Sequence, residues 1–348
     1  MKKIYYITAV FATLFLVGCG DGIDLPGINV ETDLNKIPLP DNNVNLEQVE
    51  LKPSTEPMLH EGLHTEEDFQ RIRDKKAAGE EPWVSAYQLL VESQFSQKTA
   101  DTYPTEWIKR GVSGDENYMN AARGATIAYQ QALRWKIEQD DEYAAKAVEN
   151  LNKWVQTCVG VTGNTNLSLA AGLYGYEFAI AGELLRDYEG WDRADFAAFQ
   201  NWLLKVFYPA NDDFLKRHHD TNALHYWANW CLCNIAAKMA IGIVTDRRDI
   251  YNEGIAHLQT GDTNGRLRRA IYHDYAPDYN FAQWQESGRD QGHTLMCVGL
   301  MGVICQLAWS QGDDFFAYDD NLFLRACEYA ACCNYTNETV PYTTYIWQ

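Results

Sequence analysis

The chain has 348 residues, 46% of them apolar, enough to bury one large core or two smaller ones. A formal net charge of -19 argues against nucleic acid as a partner. The same acidity disfavours an anionic ligand unless the few cations are concentrated, as Arg266, Arg268, Arg269 and Arg289 are.

At the N-terminus Lys2 and Lys3 precede an apolar run, Ile4 to Val17, that is too short to span a membrane. The run ends Leu16-Val17-Gly18-Cys19. This order of charge, apolar core, small residue and cysteine resembles a bacterial lipoprotein signal, cleaved before a cysteine that becomes lipidated. Acyl chains on Cys19 are expected to anchor the protein to a membrane, as an outer-membrane lipoprotein that faces the periplasm or the cell surface. A secretory leader with a chance cysteine is the plainer alternative. Residues 20–58, rich in Asp, Asn, Pro and Gly and without hydrophobic periodicity, read as a flexible tether.

From about His60 onward the pattern is helical, and long strand-like alternation is missing. His60-Glu61-Gly62-Leu63-His64 matches the zinc pattern HExxH, but that chemistry needs one helix through both histidines. Gly62 lies inside the match, and Thr65-Glu66-Glu67-Asp68 reads as the cap of a helix that begins afterwards. No metal site is assigned.

The helices come in pairs. Met119–Glu138, rich in Ala and aromatics, is followed by an amphipathic helix to Trp154. Leu224–Val244, apolar on nearly all sides, is followed by one whose apolar face is Ile250, Ile255 and Leu258. Leu295–Trp309 repeats the theme. An all-round apolar helix is buried and a striped one covers it. Repeated hairpins of this kind predict an all-α fold of two concentric layers, an α/α toroid built as an incomplete barrel of helical hairpins, over residues 59–348. A right-handed superhelix of the same hairpins is the alternative. Eleven Trp and 21 Tyr could line a carbohydrate cleft, although large helical core residues account for them more plainly.

Three polar clusters interrupt this pattern. Asn222, His225 and Asn229 share one face if their segment is helical, with Asp220 or Thr221 as its cap; the helix dipole there favours an acidic ligand. Arg266-Leu267-Arg268-Arg269 precedes Tyr272-His273-Asp274-Tyr275, and nearby arginines would lower a tyrosine's pKa toward useful acid–base chemistry. A solvated basic loop is the bland reading. The richest cluster is Gln283-Trp284-Gln285-Glu286-Ser287-Gly288-Arg289-Asp290-Gln291-Gly292-His293-Thr294, costly to bury unless its groups are paired or used. With Ser287 as N-cap and Asp290 three residues on, Arg289 and His293 would lie one helical turn apart at the mouth of a buried helix. Eight further cysteines, Cys158, Cys231, Cys233, Cys297, Cys305, Cys327, Cys332 and Cys333, lie mostly in apolar helical stretches and read as buried thiols.

His60 to Pro82, the Tyr226-Trp227-Ala228-Asn229-Trp230 run and Gln283 to Thr294 resemble the alginate-lyase-domain family of polysaccharide lyases, in particular a branch of glucuronan- and mannuronan-cleaving enzymes of gut bacteria. The resemblance covers roughly residues 58–348. It implies an α/α toroid that cleaves uronate chains by β-elimination. Better-known members carry an Asn-Asn-His-x-Tyr-Trp segment with a carboxylate-neutralising Asn and a catalytic His. Asn222 falls on the first Asn; Ala223 and Leu224 stand at the second Asn and the His, so the His role passes to His225 or His293. Tyr272 falls on the family's catalytic tyrosine, with Arg266 six residues before it where relatives have seven. Relatives continue past a segment like Val340-Pro341-Tyr342-Thr343-Thr344-Tyr345, so the domain is expected to be cut short at its C-terminus.

The implied reaction needs no metal or cofactor. Its catalytic candidates are Tyr272, His225, His293, Asn222 and Arg266; substrate binding is expected from Arg289, Glu286, Gln283, Asn229 and Trp227. The expected partners are a uronic-acid polysaccharide and, through Cys19, a membrane. The rivals are a non-catalytic glycan-binding lipoprotein and a glycosidase on the same fold, for which Glu286 and Asp290 are the obvious local carboxylate pair. A zinc peptidase is a distant third.

Overall fold

The computed structural model describes residues 49–336 and 339–345. The Lys2–Cys19 leader and most of the expected tether lie outside them. Of the expected tether, residues 49–58 are held in the described structure. The Val49 carbonyl accepts from Gln259, that of Lys52 from Asn252, and those of Glu56 and Pro57 from Arg248. With Val49 and Met58 also buried, the chain is fixed from residue 49, because its carbonyls and apolar side chains already have partners.

The chain divides into two compact units. One comprises Leu51–Asn222 and Cys233–Ala256; the other is built around Ala223–Leu232 and the chain from His257 on.

In the first unit α1 (Glu66–Ala77) begins at a capping box, in which the Thr65 hydroxyl accepts from the Asp68 N–H and the Asp68 carboxylate accepts from the Thr65 N–H. His60 and His64 therefore precede the helix. His60 pairs with Asp246, and His64 is 2.6 Å from the Tyr129 hydroxyl. After α2 (Trp83–Glu92) and a short strand β1 (Trp107–Arg110), the predicted hairpin is α3 (Tyr118–Glu138) with α4 (Asp141–Thr157). Strand β2 (Gly160–Gly163) pairs with β1 in parallel. The remaining helices are α5 (Leu167–Leu184), α6 (Arg193–Val206), α7 (Tyr208–Arg217) and most of α8 (Ala228–Val244) and α9 (Arg248–Thr260).

The pairing of apolar with striped helices holds within this unit. Helix α5 is buried along nearly its whole length and packs on α3 and α7, whereas α4 buries only one stripe, including Tyr143, Ala147, Leu151 and Trp154. Gly172 lets α5 approach α8 closely, since a Cβ there would lie 2.5 Å from the Cys233 sulfur. The Trp202 ring meets Phe178 and Phe207 edge to face, each at 5.1 Å, and truncating any of the three would cost about 3–5 kcal/mol. Polar atoms buried around Trp154 are matched: its indole donates to Thr102, and the Asn150 amide spans Thr102 and Gln131.

The second unit holds α10 (Leu267–Ala270), the antiparallel strands β3 (Ile271–Asp274) and β4 (Ala282–Trp284), α11 (Gln291–Ser310) and α12 (Tyr318–Tyr335). By composition α11 could cross a membrane, but most of it is buried within the protein, and it packs on α12. The β3–β4 ribbon was not expected. It is too short for an alternating pattern, yet it carries Tyr272 and Gln283. None of the eight described cysteines forms a disulfide; Cys327 and Cys333 are partly exposed and the other six are buried.

Two helix starts differ from the sequence reading. Helix α8 begins at Ala228 rather than Leu224, so Asn222, His225 and Asn229 do not form a helical stripe, and Asp220 and Thr221 do not cap it. The buried amide of Asn264 takes the carbonyls of Leu224 and Tyr226, at 3.0 and 2.9 Å, and holds that segment out of the helix. Helix α11 begins at Gln291, with Asp290 rather than Ser287 as its N-cap, accepting from the His293 N–H at 2.8 Å. Residues Gln285–Gly288 instead form a 3-10 turn closed by the Arg289 N–H on the Glu286 carbonyl, so Arg289 does not share a helical face with His293.

Candidate active site

Within the polar segment from Gln283 to His293, residues Gln283 to Glu286 are buried, and for a structural purpose. The first N–H groups of a helix have no partner within it. At α8 the Gln285 side-chain oxygen accepts from the Ala228 N–H at 2.8 Å, and the Glu286 carboxylate accepts from the Asn229 N–H at 3.2 Å. A carboxylate suits that position because the helix dipole is positive there. Glu286 also receives the Cys297 thiol and, at 3.3 Å, the Arg289 guanidinium. Burial pushes its carboxyl above the usual range, against the pull of Asn229, Arg289 and His293. Fully buried and fully used, Glu286 does not fit the expected role of a substrate contact, nor that of a glycosidase acid partnered by Asp290, which caps α11. Asn229 is buried as well.

Tyr272 owes its position to an irregularity in the ribbon. Ile271 pairs with Trp284 and His273 with Gln283, so β3 carries one residue more than β4 across that step, and the extra residue is Tyr272. Such a bulge re-aims the side chain it carries. The strand is anchored beside it: Arg325 holds Asp274 through two bonds, one of 2.9 Å, and, although burial opposes this, keeps the Asp274 carboxyl below its ordinary range.

Around the Tyr272 hydroxyl lies a small closed network. The hydroxyl donates to the Thr343 carbonyl. The Gln283 amide N–H donates to the Tyr272 oxygen at 3.2 Å and to the Thr343 carbonyl at 2.9 Å. The Gln283 oxygen accepts from the Tyr275 hydroxyl at 2.6 Å and from the Thr343 N–H at 2.9 Å. Gln283 has no exposed surface, so it supports Tyr272 and does not contact a ligand as expected. The arginines are elsewhere: Arg268 pairs with Asp319, and Arg266, at the start of α10, acts with Arg268 on Tyr318. Tyr272 is therefore not lowered. Burial and the phenols of Tyr275 and Tyr342 push it up to about 12, with the Gln283 hydrogen bond pulling the other way.

An aromatic floor adjoins this network. The Tyr345 ring meets Tyr272 edge to face at 5.1 Å and lies 6.2 Å from Trp227, and its hydroxyl reaches Asn264 at 3.3 Å. Exposed Arg289 sits 5.3 Å over the Trp227 ring. An amphipathic surface of this kind, with a cation beside it, suits an acidic sugar. The His293 ring is oriented by Asp290, whose carboxylate lies 2.6 Å from Nδ1. His225 is exposed, its ring edge-on to Tyr226 at 4.9 Å. Asn222 is exposed and closes the first unit. The structure thus gathers Tyr272, Gln283, Trp227 and Arg289 within one unit. It adds Tyr275, Asn264, Thr343 and Tyr345, which the sequence reading did not assign to the site.

The sequence profile of the alginate lyase family matches residues 72–338. Among solved structures the chain is similar to a variant of alginate lyase A1-III complexed with a tetrasaccharide, at 14% identity and a TM-score of 0.59, over 81% of this chain and 82% of that one. It is similar to alginate lyase A1-III from Sphingomonas species A1, at 13% identity and 0.53, over 80% of each chain. It also resembles an alginate lyase from Bacteroides ovatus, at 14% identity and 0.54, over 77% of this chain and 82% of that one. No curated protein sequence matches. The fold is accordingly the α/α toroid of these structures, and the chain belongs to the alginate lyase family, a family of polysaccharide lyases.

Proposed function

We propose, taking membership of the alginate lyase family as premise, that this protein cleaves glucuronan or mannuronate-rich alginate by β-elimination, with Tyr272 as its proton-transfer group. The observation that carries the reading is a tyrosine on a β-bulge, its hydroxyl held by Gln283, beside an aromatic floor that bears Arg289. In the reaction a base takes the proton at C5, the C4–C5 double bond forms, the C4–O4 bond breaks, and O4 accepts a proton. In β-D-mannuronate and β-D-glucuronate H5 and O4 lie on the same side, so one tyrosine can serve both transfers: as phenolate it takes H5, and as phenol it returns a proton to O4. Arg289 is suited to neutralise the carboxylate whose charge rises as H5 leaves. Asn222 is assigned to the same task on the family motif alone, and Arg266 keeps its candidacy on the same footing. For α-L-guluronate H5 and O4 are opposed, and a second group is needed. His293, oriented by Asp290, and His225 are the candidates.

The test mixes the protein with polymannuronate, glucuronan, polyguluronate and a neutral glucan and follows absorbance of the unsaturated uronate. A rise with either of the first two supports the reading. New reducing ends from the neutral glucan without that absorbance would identify a glycosidase, and binding with no product would identify a glycan-binding protein. We further propose that Cys19 is lipidated and anchors the enzyme to the outer membrane; Cys19→Ala should then move it from the membrane to the soluble fraction.

A further inference from the structure

We propose that Gln283 is a positioning residue for Tyr272, its amide acting as the pivot that fixes the tyrosine hydroxyl against the Thr343 main chain and stays bonded to the oxygen when the proton leaves. This inference rests on the reading of Tyr272 as the proton-transfer group. A primary amide has two donors and one acceptor oxygen. Here both ends are used, and the orientation is set by chemistry. The Thr343 N–H and Tyr275 hydroxyl approach the oxygen, and the Thr343 carbonyl and Tyr272 oxygen take the N–H side. A flipped amide would set its N–H against the Thr343 N–H and its oxygen against the Thr343 carbonyl.

The two bonds on Tyr272 act in opposite senses. Its own O–H donates to the Thr343 carbonyl, a bond that exists only while the tyrosine is neutral. The Gln283 N–H donates to the oxygen, and that bond strengthens when the oxygen becomes charged. The other groups that face the phenol are the phenols of Tyr275, Tyr342, Tyr345 and Tyr329 and the ring of His273, and those of Tyr275, Tyr342 and Tyr345 oppose a negative charge on it. Among the groups that act most strongly on Tyr272, the Gln283 N–H is the one that favours the phenolate. It lies on β4, paired with β3 next to the bulge, so the strand register sets its reach to the tyrosine.

The test replaces Gln283 in the full chain with Met, which keeps the volume and removes the amide, and with Glu, which keeps the acceptor for Tyr275 and Thr343 but places no amide N–H on Tyr272. Fluorotyrosine is incorporated at position 272, and its ionisation is followed by fluorine NMR, a readout independent of turnover. The expected result is a titration midpoint about one pH unit or more higher in each folded variant than in the parent. An unchanged midpoint in either folded variant overturns the proposal. On polymannuronate or glucuronan, Gln283→Met should lower kcat more than it raises KM, and should add no further loss once Tyr272→Phe is present; full additivity of the two losses would overturn it. If the parent cleaves no uronate polymer, the proposed function fails, and the titration alone decides the role of Gln283.

Discussion

Tyr129 in the first unit and Tyr272 in the second are both tyrosines packed among polar groups, and their surroundings do opposite things. The Tyr129 hydroxyl meets His64 Nε2 at 2.6 Å, and Glu177 is near. Every group there is driven to its neutral form. Burial, and then Glu177, push Tyr129 well above its ordinary value; burial pushes His64 down to about 4 and Glu177 up to about 8. Tyr272 is also raised, but it is less buried, and an N–H donor rests on its oxygen. On the proposed reading, a buried tyrosine becomes useful for proton transfer through a donor that remains after ionisation and through access to a ligand. A nearby titratable group alone does not suffice.

Removing one hydroxyl from each centre separates these roles. Tyr272→Phe should lower turnover by about 10²–10⁴ while the melting temperature barely moves, as measured by kinetics and thermal unfolding. Asp274→Ala tests the anchoring of β3. It leaves Arg325, with a side chain only 3% exposed, without its carboxylate, and should destabilise the protein by about 3–5 kcal/mol in denaturant titration. Tyr129→Phe should act on stability, at about 1–3 kcal/mol, because it strips His64 of its hydrogen-bond partner.

The smallest effect is a pH dependence of stability. Glu177 binds its proton more tightly folded than unfolded, so its contribution is present at low pH and is lost as pH rises from about 4.5 to about 8. His64 binds its proton less tightly folded, so its contribution grows as pH rises from about 4 to 6.5. The two oppose each other below pH 6.5, and Glu177 alone acts above it. Melting temperature should therefore fall between pH 6.5 and 8, and Glu177→Gln should flatten that fall. An unchanged slope in the variant would mean that the carboxyl is not protonated in the folded protein.

The helical hairpins were legible because their signal is local. The uniform apolarity of α8 and α11 and the stripe of α4 are properties of consecutive residues, and Thr65 to Asp68 announces its own helix. The site was legible in its parts and not in its assembly. Tyr272 stood out through the family motif, but the arginines beside it in sequence turn to Asp319 and Tyr318, since direction on a short helix and strand is not encoded by proximity. The start of α8 was misplaced because the deciding side chains come from elsewhere, and that of α11 because Asp290 rather than Ser287 takes the cap. Asn264 lies about forty residues from the carbonyls it takes, and Gln285 fifty-seven from the N–H it caps. The β3–β4 ribbon is shorter than the alternation needed to recognise it, and Thr343 gave no signal because its contacts with Tyr272 and Gln283 are main chain.

The most direct test of the account is the rate at which the protein and its Tyr272→Phe variant release unsaturated uronate from polymannuronate and glucuronan at saturating substrate. The account predicts turnover by the parent on at least one of the two polymers and a loss of about 10²–10⁴ in a variant that folds and still binds the polymer. A folded variant with near-parental turnover would make Tyr272 structural and move the proton chemistry to His225 or His293.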